Sequence, residues 1–135
     1  MTAANESRLF ADEAPRYDGA KFPTPRPFQE SAHQSLRQGF LDGHRRQLIA
    51  APTGAGKSIL ALRIIHEALL RGKRAVFLAD RTTLINQTSA AAVAVGLYEH
   101  GIVQANHPRR DASLPFQIAS TQTIAKRGFW PQLDV

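Results

Sequence analysis

The chain has 135 residues, of which 43% are hydrophobic and 21% charged, and it contains no cysteine. This length and apolar content allow one packed domain or part of a larger one, and they exclude a fully disordered chain. The lack of cysteine excludes disulfides, thiolate zinc sites and thiol nucleophiles. The net charge of +6, from 17 basic and 11 acidic residues, fits either a polyanionic partner such as nucleic acid or a solvated basic surface.

Membrane and export signals are not found in this sequence. No uncharged apolar run approaches the ~18 residues that indicate a membrane span, the longest candidate being Ala90 to Leu97. The N-terminus has no basic segment followed by an apolar one, as a signal peptide would. These observations predict a cytoplasmic protein that does not associate with membranes.

The first 25 residues differ in character from the rest. Four of the eight prolines lie between Pro15 and Pro27, and apolar periodicity is absent there. We therefore predict a weakly structured N-terminal extension over residues 1–25, followed by a single domain over residues 26–135.

Helical and strand patterns alternate from residue 27 onwards. Pro27 suits the first turn of a helix, and Gly43 and Gly72 suit helix exits. Apolar spacing predicts helices at about 27–42, 57–71, 82–95 and 121–127. Short apolar runs predict buried strands at 47–51, 75–79, 101–104 and 116–119. Buried strands alternating with helices indicate an α/β fold with a parallel sheet covered on both faces.

The strongest functional signal is the segment 51–58, which reads Ala-Pro-Thr-Gly-Ala-Gly-Lys-Ser. It matches the phosphate-loop pattern, with Ala51 where the strict form has glycine, and it lies between a predicted strand and a predicted helix. Gly54 and Gly56 allow backbone N–H groups to turn inward around phosphate oxygens. The alternative interpretation is a glycine-rich turn with an incidental lysine.

The chemistry of this loop predicts a nucleotide with β- and γ-phosphates and Mg²⁺ as ligands; that the nucleotide is ATP follows from the resemblance described below. Lys57 can reach the β- and γ-phosphates, and Ser58 offers a hydroxyl to Mg²⁺. We predict Lys57 and Ser58 as catalytic residues and Ser58 as the magnesium ligand. The residues predicted around the phosphates are Pro52, Thr53, Gly54, Ala55, Gly56, Lys57 and Ser58.

Three further segments indicate which class of phosphate-loop protein this chain resembles. Arg-Pro-Phe-Gln begins at Arg26, Leu-Ala-Asp-Arg-Thr-Thr-Leu-Ile-Asn-Gln begins at Leu78, and Ile-Ala-Ser-Thr-Gln-Thr begins at Ile118. In this order the chain resembles superfamily 2 helicases and translocases of the DEAD/DEAH-box-like group. It is most similar to the motors of type I and type III restriction enzymes and their DNA-repair relatives. The resemblance implies a RecA-like three-layer fold with a mostly parallel sheet, incomplete at the C-terminus.

The resemblance also implies roles for residues outside the loop. Gln29 would read the adenine edge and Arg26 would orient the base, the alternative being a helix cap with a solvated arginine. A second set would contact the phosphates of a bound DNA strand. This set comprises Arg81, Thr82, Thr83, Ser120 and Gln122. The alternatives are a helix N-cap by Thr82 or Thr83 with a surface arginine, and an ordinary helix start at Ser120 and Gln122.

Asp80 imitates the aspartate that follows an apolar strand and holds Mg²⁺ in phosphate-loop enzymes. Arg81 follows it where a catalytic acid would be expected. We therefore interpret Asp80 as outside the metal site.

The resemblance departs from the family because the strand with the Asp-Glu pair and the second lobe are not found. We predict the ATP-binding portion of an ATP-dependent DNA helicase or translocase, a helicase-type ATPase, with DNA and a missing C-terminal motor portion of the parent as partners. The chain alone is expected to bind nucleotide weakly and to hydrolyse little. The alternatives are a non-catalytic nucleotide- or DNA-binding fragment of a truncated gene and a small phosphate-loop kinase or transferase.

Overall fold

A computed structural model of the chain describes residues 17–52, 54 and 56–128. Within them lie four helices and three strands in alternating order. The helices are α1 (Pro27–Leu41), α2 (Lys57–Leu70), α3 (Thr82–Ala94) and α4 (Thr121–Arg127). The strands are β1 (Ala75–Ala79), β2 (Gly101–Val103) and β3 (Phe116–Ser120).

The three strands form a parallel sheet in the order β1-β3-β2. β3 is central, and its register against β1 runs from Ala75 opposite Phe116 to Ala79 opposite Ser120. Because the strands are parallel, their carboxyl ends meet at one edge of the sheet. The predicted α/β class with a parallel sheet is confirmed.

The core lies on both faces of the sheet, as the continuous apolar strands predict. On one face Phe116 and Ile118 of β3 pack with Leu62 of α2 and Ile85 of α3, and all four side chains are fully buried. On the other face Ile124 of α4 forms a smaller cluster. Its partners are Val76, Val103 and Ala119. The helices therefore cover both faces, which is the three-layer arrangement.

The predicted strand at 47–51 is wrong. This segment is neither helix nor strand, and Leu48 is 94% exposed. Its side chains and carbonyls make isolated hydrogen bonds, such as that from the Gln47 amide to the carbonyl of Leu36 at 3.1 Å. A strand exists through its hydrogen-bonded neighbour, and none of the three described strands pairs with this segment. The apolar run alone therefore does not form a ladder.

Residues 17–25 contain no helix or strand but are tied to the core. The Tyr17 hydroxyl donates to the carbonyl of Glu99 at 2.6 Å, and the Tyr17 carbonyl lies 2.7 Å from Nε2 of His66. Burial, together with the nearby Glu99 carboxylate, raises the pKa of Tyr17 to about 12, so its hydroxyl keeps its proton at neutral pH. The rest of the predicted N-terminal extension, residues 1–16, and the end of the predicted domain, residues 129–135, lie outside the described residues.

Across the described ranges, no helix combines the length and the apolar character that crossing a membrane requires.

Candidate functional site

The glycine-rich loop has a backbone that only glycine adopts easily. Gly54 and Gly56 have φ values of 84° and 82°, in the left-handed region. Gly56 is the N-cap of α2 and brings no capping side chain, and the first turn of α2 has no acidic residue. The free N–H groups of that turn and the helix dipole therefore favour an anion at this point.

Two side chains from the start of α1 hold the loop in place. Arg26 Nη1 donates to the carbonyl of Gly54 at 2.8 Å, and Gln29 Nε2 donates to the carbonyl of Gly56 at 3.1 Å. Gln29 Oε1 also accepts from the backbone N–H of Arg26 at 2.9 Å, and Gln29 is only 8% exposed. A Cβ at Gly56 would collide with the Gln29 amide. The Arg-Pro-Phe-Gln element and the loop are thus one packed unit.

Lys57 and Ser58 open α2 and are both exposed. Lys57 Nζ donates to the carbonyl of Ala51 at 3.1 Å, so its ammonium lies across the mouth of the loop. This contact is one that a phosphate oxygen could replace, because a charge-assisted hydrogen bond to an anion is the stronger of the two. Three further loop residues are predicted to contact phosphate. Pro52 is exposed, and Thr53 and Ala55 lie outside the described residues.

Beside the loop lies a cavity of about 570 Å³. Ser58 lines it together with Asp80 at the end of β1, Thr88 of α3 and Thr121 at the start of α4. Hydroxyl and carboxylate oxygens are ligands that Mg²⁺ accepts. Asp80, which we interpret from the sequence as outside the metal site, is exposed and lines this cavity beside the apolar side chains of Phe77 and Leu78.

The residues predicted to contact nucleic acid meet at the carboxyl edge of the sheet. Because Ala79 of β1 lies opposite Ser120 of β3, Arg81 and Gln122 follow neighbouring strand ends. Four of the five side chains are exposed. They are Arg81, Thr82, Thr83 and Gln122.

Ser120, the fifth, is 6% exposed and acts locally. Its hydroxyl accepts from the backbone N–H of Thr123 at 3.3 Å, so it caps the N-terminus of α4. This is the ordinary helix start that the sequence left open as the alternative for this position.

Two further residues join this edge without a signal in the sequence. Gln104, just after β2, donates to the Thr82 hydroxyl at 2.9 Å and so reaches across the end of β3. Arg127 donates to the carbonyl of Ala105 at 2.6 Å. Ala105 has a φ of 41°, unusual for a residue with a side chain. These contacts depend on the strand order, which spacing along the chain does not give.

A parallel sheet with a left-handed glycine loop at the start of a helix, and with Lys57 and Ser58 following it, is the arrangement expected of a nucleotide-binding domain. Residues 22–128 match the ResIII family, described as the type III restriction enzyme, res subunit. Since this match covers most of the chain, the chain belongs to that family. The matched range includes the glycine-rich loop and all of the described helices and strands.

Two known proteins are similar to this chain, one in sequence and one in fold. Over 74 residues the chain is 35% identical to the type I restriction enzyme EcoAI endonuclease subunit of Escherichia coli, a stretch that covers 53% of this chain and 9% of that subunit. The fold is similar to the UvsW helicase of bacteriophage T4, with a TM-score of 0.61, 19% identity, and coverage of 92% of this chain and 45% of that one. The chain therefore spans less than half the length of either protein. Together with the family match, these similarities confirm the predicted resemblance to superfamily 2 helicases.

Proposed function

We propose that this chain is the ATP-binding portion of an ATP-dependent motor that acts on DNA. The observation that supports this most directly is the left-handed loop at Gly54 and Gly56, which opens onto the N-terminus of α2. The side chains of Arg26, the N-cap of α1, and of Gln29 donate to carbonyls of this loop. These hydrogen bonds hold its backbone in a shape that suits an anion.

The loop suits a triphosphate in its residue types and its backbone. The N–H groups of the first turn of α2 donate to phosphate oxygens, and the Lys57 ammonium exchanges the Ala51 carbonyl for the terminal phosphates. The Ser58 hydroxyl, which lines the cavity beside the loop, would hold Mg²⁺. Mg²⁺ would neutralise charge on the phosphates.

Gln29 retains the capacity to read adenine while it holds the loop. A side-chain amide has two N–H donors and two lone pairs on its oxygen. One donor is used on Gly56 and one lone pair on Arg26. The remaining donor and lone pair can pair with the adenine edge, so the same side chain would link base recognition to the shape of the loop.

For DNA, we propose phosphate contacts from the exposed side chains of Arg81, Thr82, Thr83 and Gln122. Arginine, threonine and glutamine all donate to phosphate oxygens, which gives affinity without reading sequence. Ser120 would contribute through the cap that orients the first turn of α4. Gln104 would fix the position of the Thr82 hydroxyl.

The nucleotide proposal is tested by calorimetric titration of the chain with Mg-ATP, comparing Lys57→Ala with Lys73→Ala. Both variants remove one exposed lysine, but only Lys57 lies at the loop. Loss of a charged hydrogen-bond partner to phosphate costs about 1.5–3 kcal/mol, roughly 10- to 150-fold in affinity. We expect that loss for Lys57→Ala and wild-type affinity for Lys73→Ala. Equal affinities in the two variants would remove the basis for the proposal.

A further inference from the structure

Away from the loop, α1 and α2 form a groove of about 760 Å³. Leu36 and Phe40 lie four residues apart on α1, and Ile64 and Ala68 lie four residues apart on α2. Residues at this spacing share one face of a helix. The groove is therefore lined by two apolar rows, one from each helix, between which a third helix could pack.

The apolar lining extends to open surface. Phe40 is 53% exposed and Leu41 is 81% exposed, and both line the groove. Single exposed apolar side chains are ordinary on proteins. Their grouping along one concave surface is typical of a binding site for another molecule.

Cationic side chains border this groove. They are Arg37, Arg45, Arg71 and Lys73. All four are exposed, and within the described part of the chain none of their side chains makes a hydrogen bond or ion pair. The surface thus combines an apolar floor with an excess of positive charge.

One carboxylate, that of Glu67, also lines the groove. Glu67 Oε1 lies 2.8 Å from Nε2 of His33, whose side chain is 10% exposed. The contact lacks hydrogen-bond geometry, and Nε2 has no hydrogen-bond partner among the described residues. Glu67 lies against His33, and the four cations outnumber this one carboxylate along the groove.

We propose that this groove is the docking site for an amphipathic helix of another polypeptide, with acidic side chains flanking an apolar stripe. The apolar stripe would pack on Leu36, Phe40 and Ile64, and the carboxylates would meet the four cations at the rim. A nucleic acid also fits the charge, but the aliphatic floor offers its bases neither hydrogen bonds nor a flat stacking surface beyond Phe40.

This surface is separate from the nucleotide site and does not depend on it. Ile64 lies seven residues beyond Lys57, about 10 Å along α2. The remaining lining residues of α2 lie farther still from the loop. Occupation of the groove can therefore be measured without nucleotide.

The experiment titrates the full chain with a labelled peptide of roughly 18 residues, long enough to form a helix on the groove. The peptide places leucine at i, i+4 and i+7 and glutamate at most other positions. Two controls are a scrambled peptide with the same composition and a peptide with lysine for every glutamate. Fluorescence anisotropy gives the affinity, and we expect a Kd on the order of 10 μM for the amphipathic acidic peptide alone.

Variants then locate the site. Arg37→Glu/Arg71→Glu should weaken peptide binding at least tenfold, and Phe40→Ser should weaken it several-fold. Arg110→Glu, a charge reversal at an exposed loop position outside the groove, should leave it unchanged. Circular dichroism of each variant checks that the fold is kept.

Three results would overturn the proposal. The first is absent binding, or equal binding of the scrambled peptide. The second is that the groove variants abolish binding of a single-stranded DNA oligonucleotide and leave peptide binding intact, which would assign the groove to nucleic acid. The third is a dimer in sedimentation that the groove variants dissociate, which would assign it to a second copy of the chain.

Discussion

Gln29 shows at the scale of one residue how the start of α1 controls the loop. Its amide joins the Gly56 carbonyl to the Arg26 N–H, and the close approach leaves no room for a Cβ at Gly56. The backbone of the loop is therefore held by a side chain 27 positions away in the sequence.

Replacing Gln29 with alanine should lower nucleotide affinity through the loop. It leaves the Gly56 carbonyl without its partner, a loss of about 1–2 kcal/mol, roughly 5- to 30-fold in affinity where binding needs the braced loop. Titration with ATP and GTP measures this. Because the loop holds phosphates and not the base, both affinities should fall. A loss confined to ATP would show that Gln29 acts only on adenine.

The control for this prediction is Gln34→Ala on the same helix. Gln34 is exposed and its amide contacts only Glu30 at 3.3 Å, one turn earlier. Its replacement should leave both nucleotide affinities unchanged.

His100 is a second residue whose surroundings predict a measurable effect. It is 2% exposed, Nδ1 lies 2.8 Å from the Leu97 carbonyl, and Nε2 lies 2.8 Å from the Ser89 hydroxyl. Burial, and to a lesser degree the nearby Arg109 and His107, hold the pKa of His100 below its ordinary value of 6.5. The Leu97 carbonyl acts in the opposite direction and is outweighed.

This depressed pKa predicts that the protein is less stable in acid. Below 6.5 the unfolded chain binds a proton at this histidine before the folded chain does, so the free energy of unfolding falls as the pH falls from that value toward the folded pKa. Above 6.5 both states are neutral here and the contribution is complete. Urea unfolding about one pH unit above and below 6.5 measures the difference.

The matched comparison for this prediction is His100→Gln against His44→Gln, since His44 is exposed in the loop after α1. The first should reduce the pH dependence between those two conditions, and the second should preserve it. Equal pH dependence in wild type and His100→Gln would contradict the assignment to His100.

At the scale of elements, the segment 47–51 and helix α2 separate apolar content from burial. Leu48 is 94% exposed although it stands in the most strand-like run near the loop, whereas Leu62 is fully buried. Leu48→Ala should therefore change the free energy of unfolding by less than about 0.5 kcal/mol, as exposed substitutions do. Leu62→Ala should cost about 2–5 kcal/mol, since it opens a cavity in the core. Denaturant unfolding of the two variants measures both values, and similar costs would contradict the exposed placement of Leu48.

The same contrast explains which elements were predictable from sequence. The helices and the strands β1, β2 and β3 follow from local spacing and agree with prediction to within one or two residues. A local pattern suffices for a helix because its hydrogen bonds are internal. A strand also needs a neighbour, and that neighbour is what 47–51 lacks among the described strands.

The candidate site follows the same rule. The glycine-rich loop is visible in the sequence because its residues are consecutive and each has a chemical reason, and its phosphate ligand stays a prediction. The contacts of Gln29 with Gly56 and of Gln104 with Thr82 join distant segments. The cap formed by Ser120 is local, but a serine before a helix fits both a cap and a phosphate contact, so its type alone could not decide.

At the scale of the whole molecule, the charge of +6 is distributed over surfaces with different neighbours. The carboxyl edge of the sheet carries Arg81 and the basic last turn of α4, Lys126 and Arg127. The groove between α1 and α2 carries a separate set of cations. A shared net charge therefore supports two distinct surfaces, and only the first lies at the strand ends.

Single-stranded DNA binding should weaken with salt in a way that identifies the edge. Each phosphate contact contributes about −0.7 to the slope of log affinity against log salt concentration for single strands. Arg81→Ala should make the slope less steep by about that amount. Arg46→Ala, an exposed arginine in the loop after α1, should leave it unchanged. Binding that ignores salt, or equal effects of the two variants, would contradict phosphate contacts at this edge.

The register that sets Ala79 opposite Ser120 has a thermodynamic consequence. Thr121 and Asp80 line the cavity next to Ser58, and Arg81 and Gln122, their immediate neighbours in the chain, are exposed at the same edge. Two ligands bound on either side of these strand ends would share one rigid boundary. By linkage, which holds for any pair of ligands, the factor by which Mg-ATP changes the affinity for DNA equals the factor by which DNA changes the affinity for Mg-ATP. Two independent titrations would thus have to give one coupling free energy.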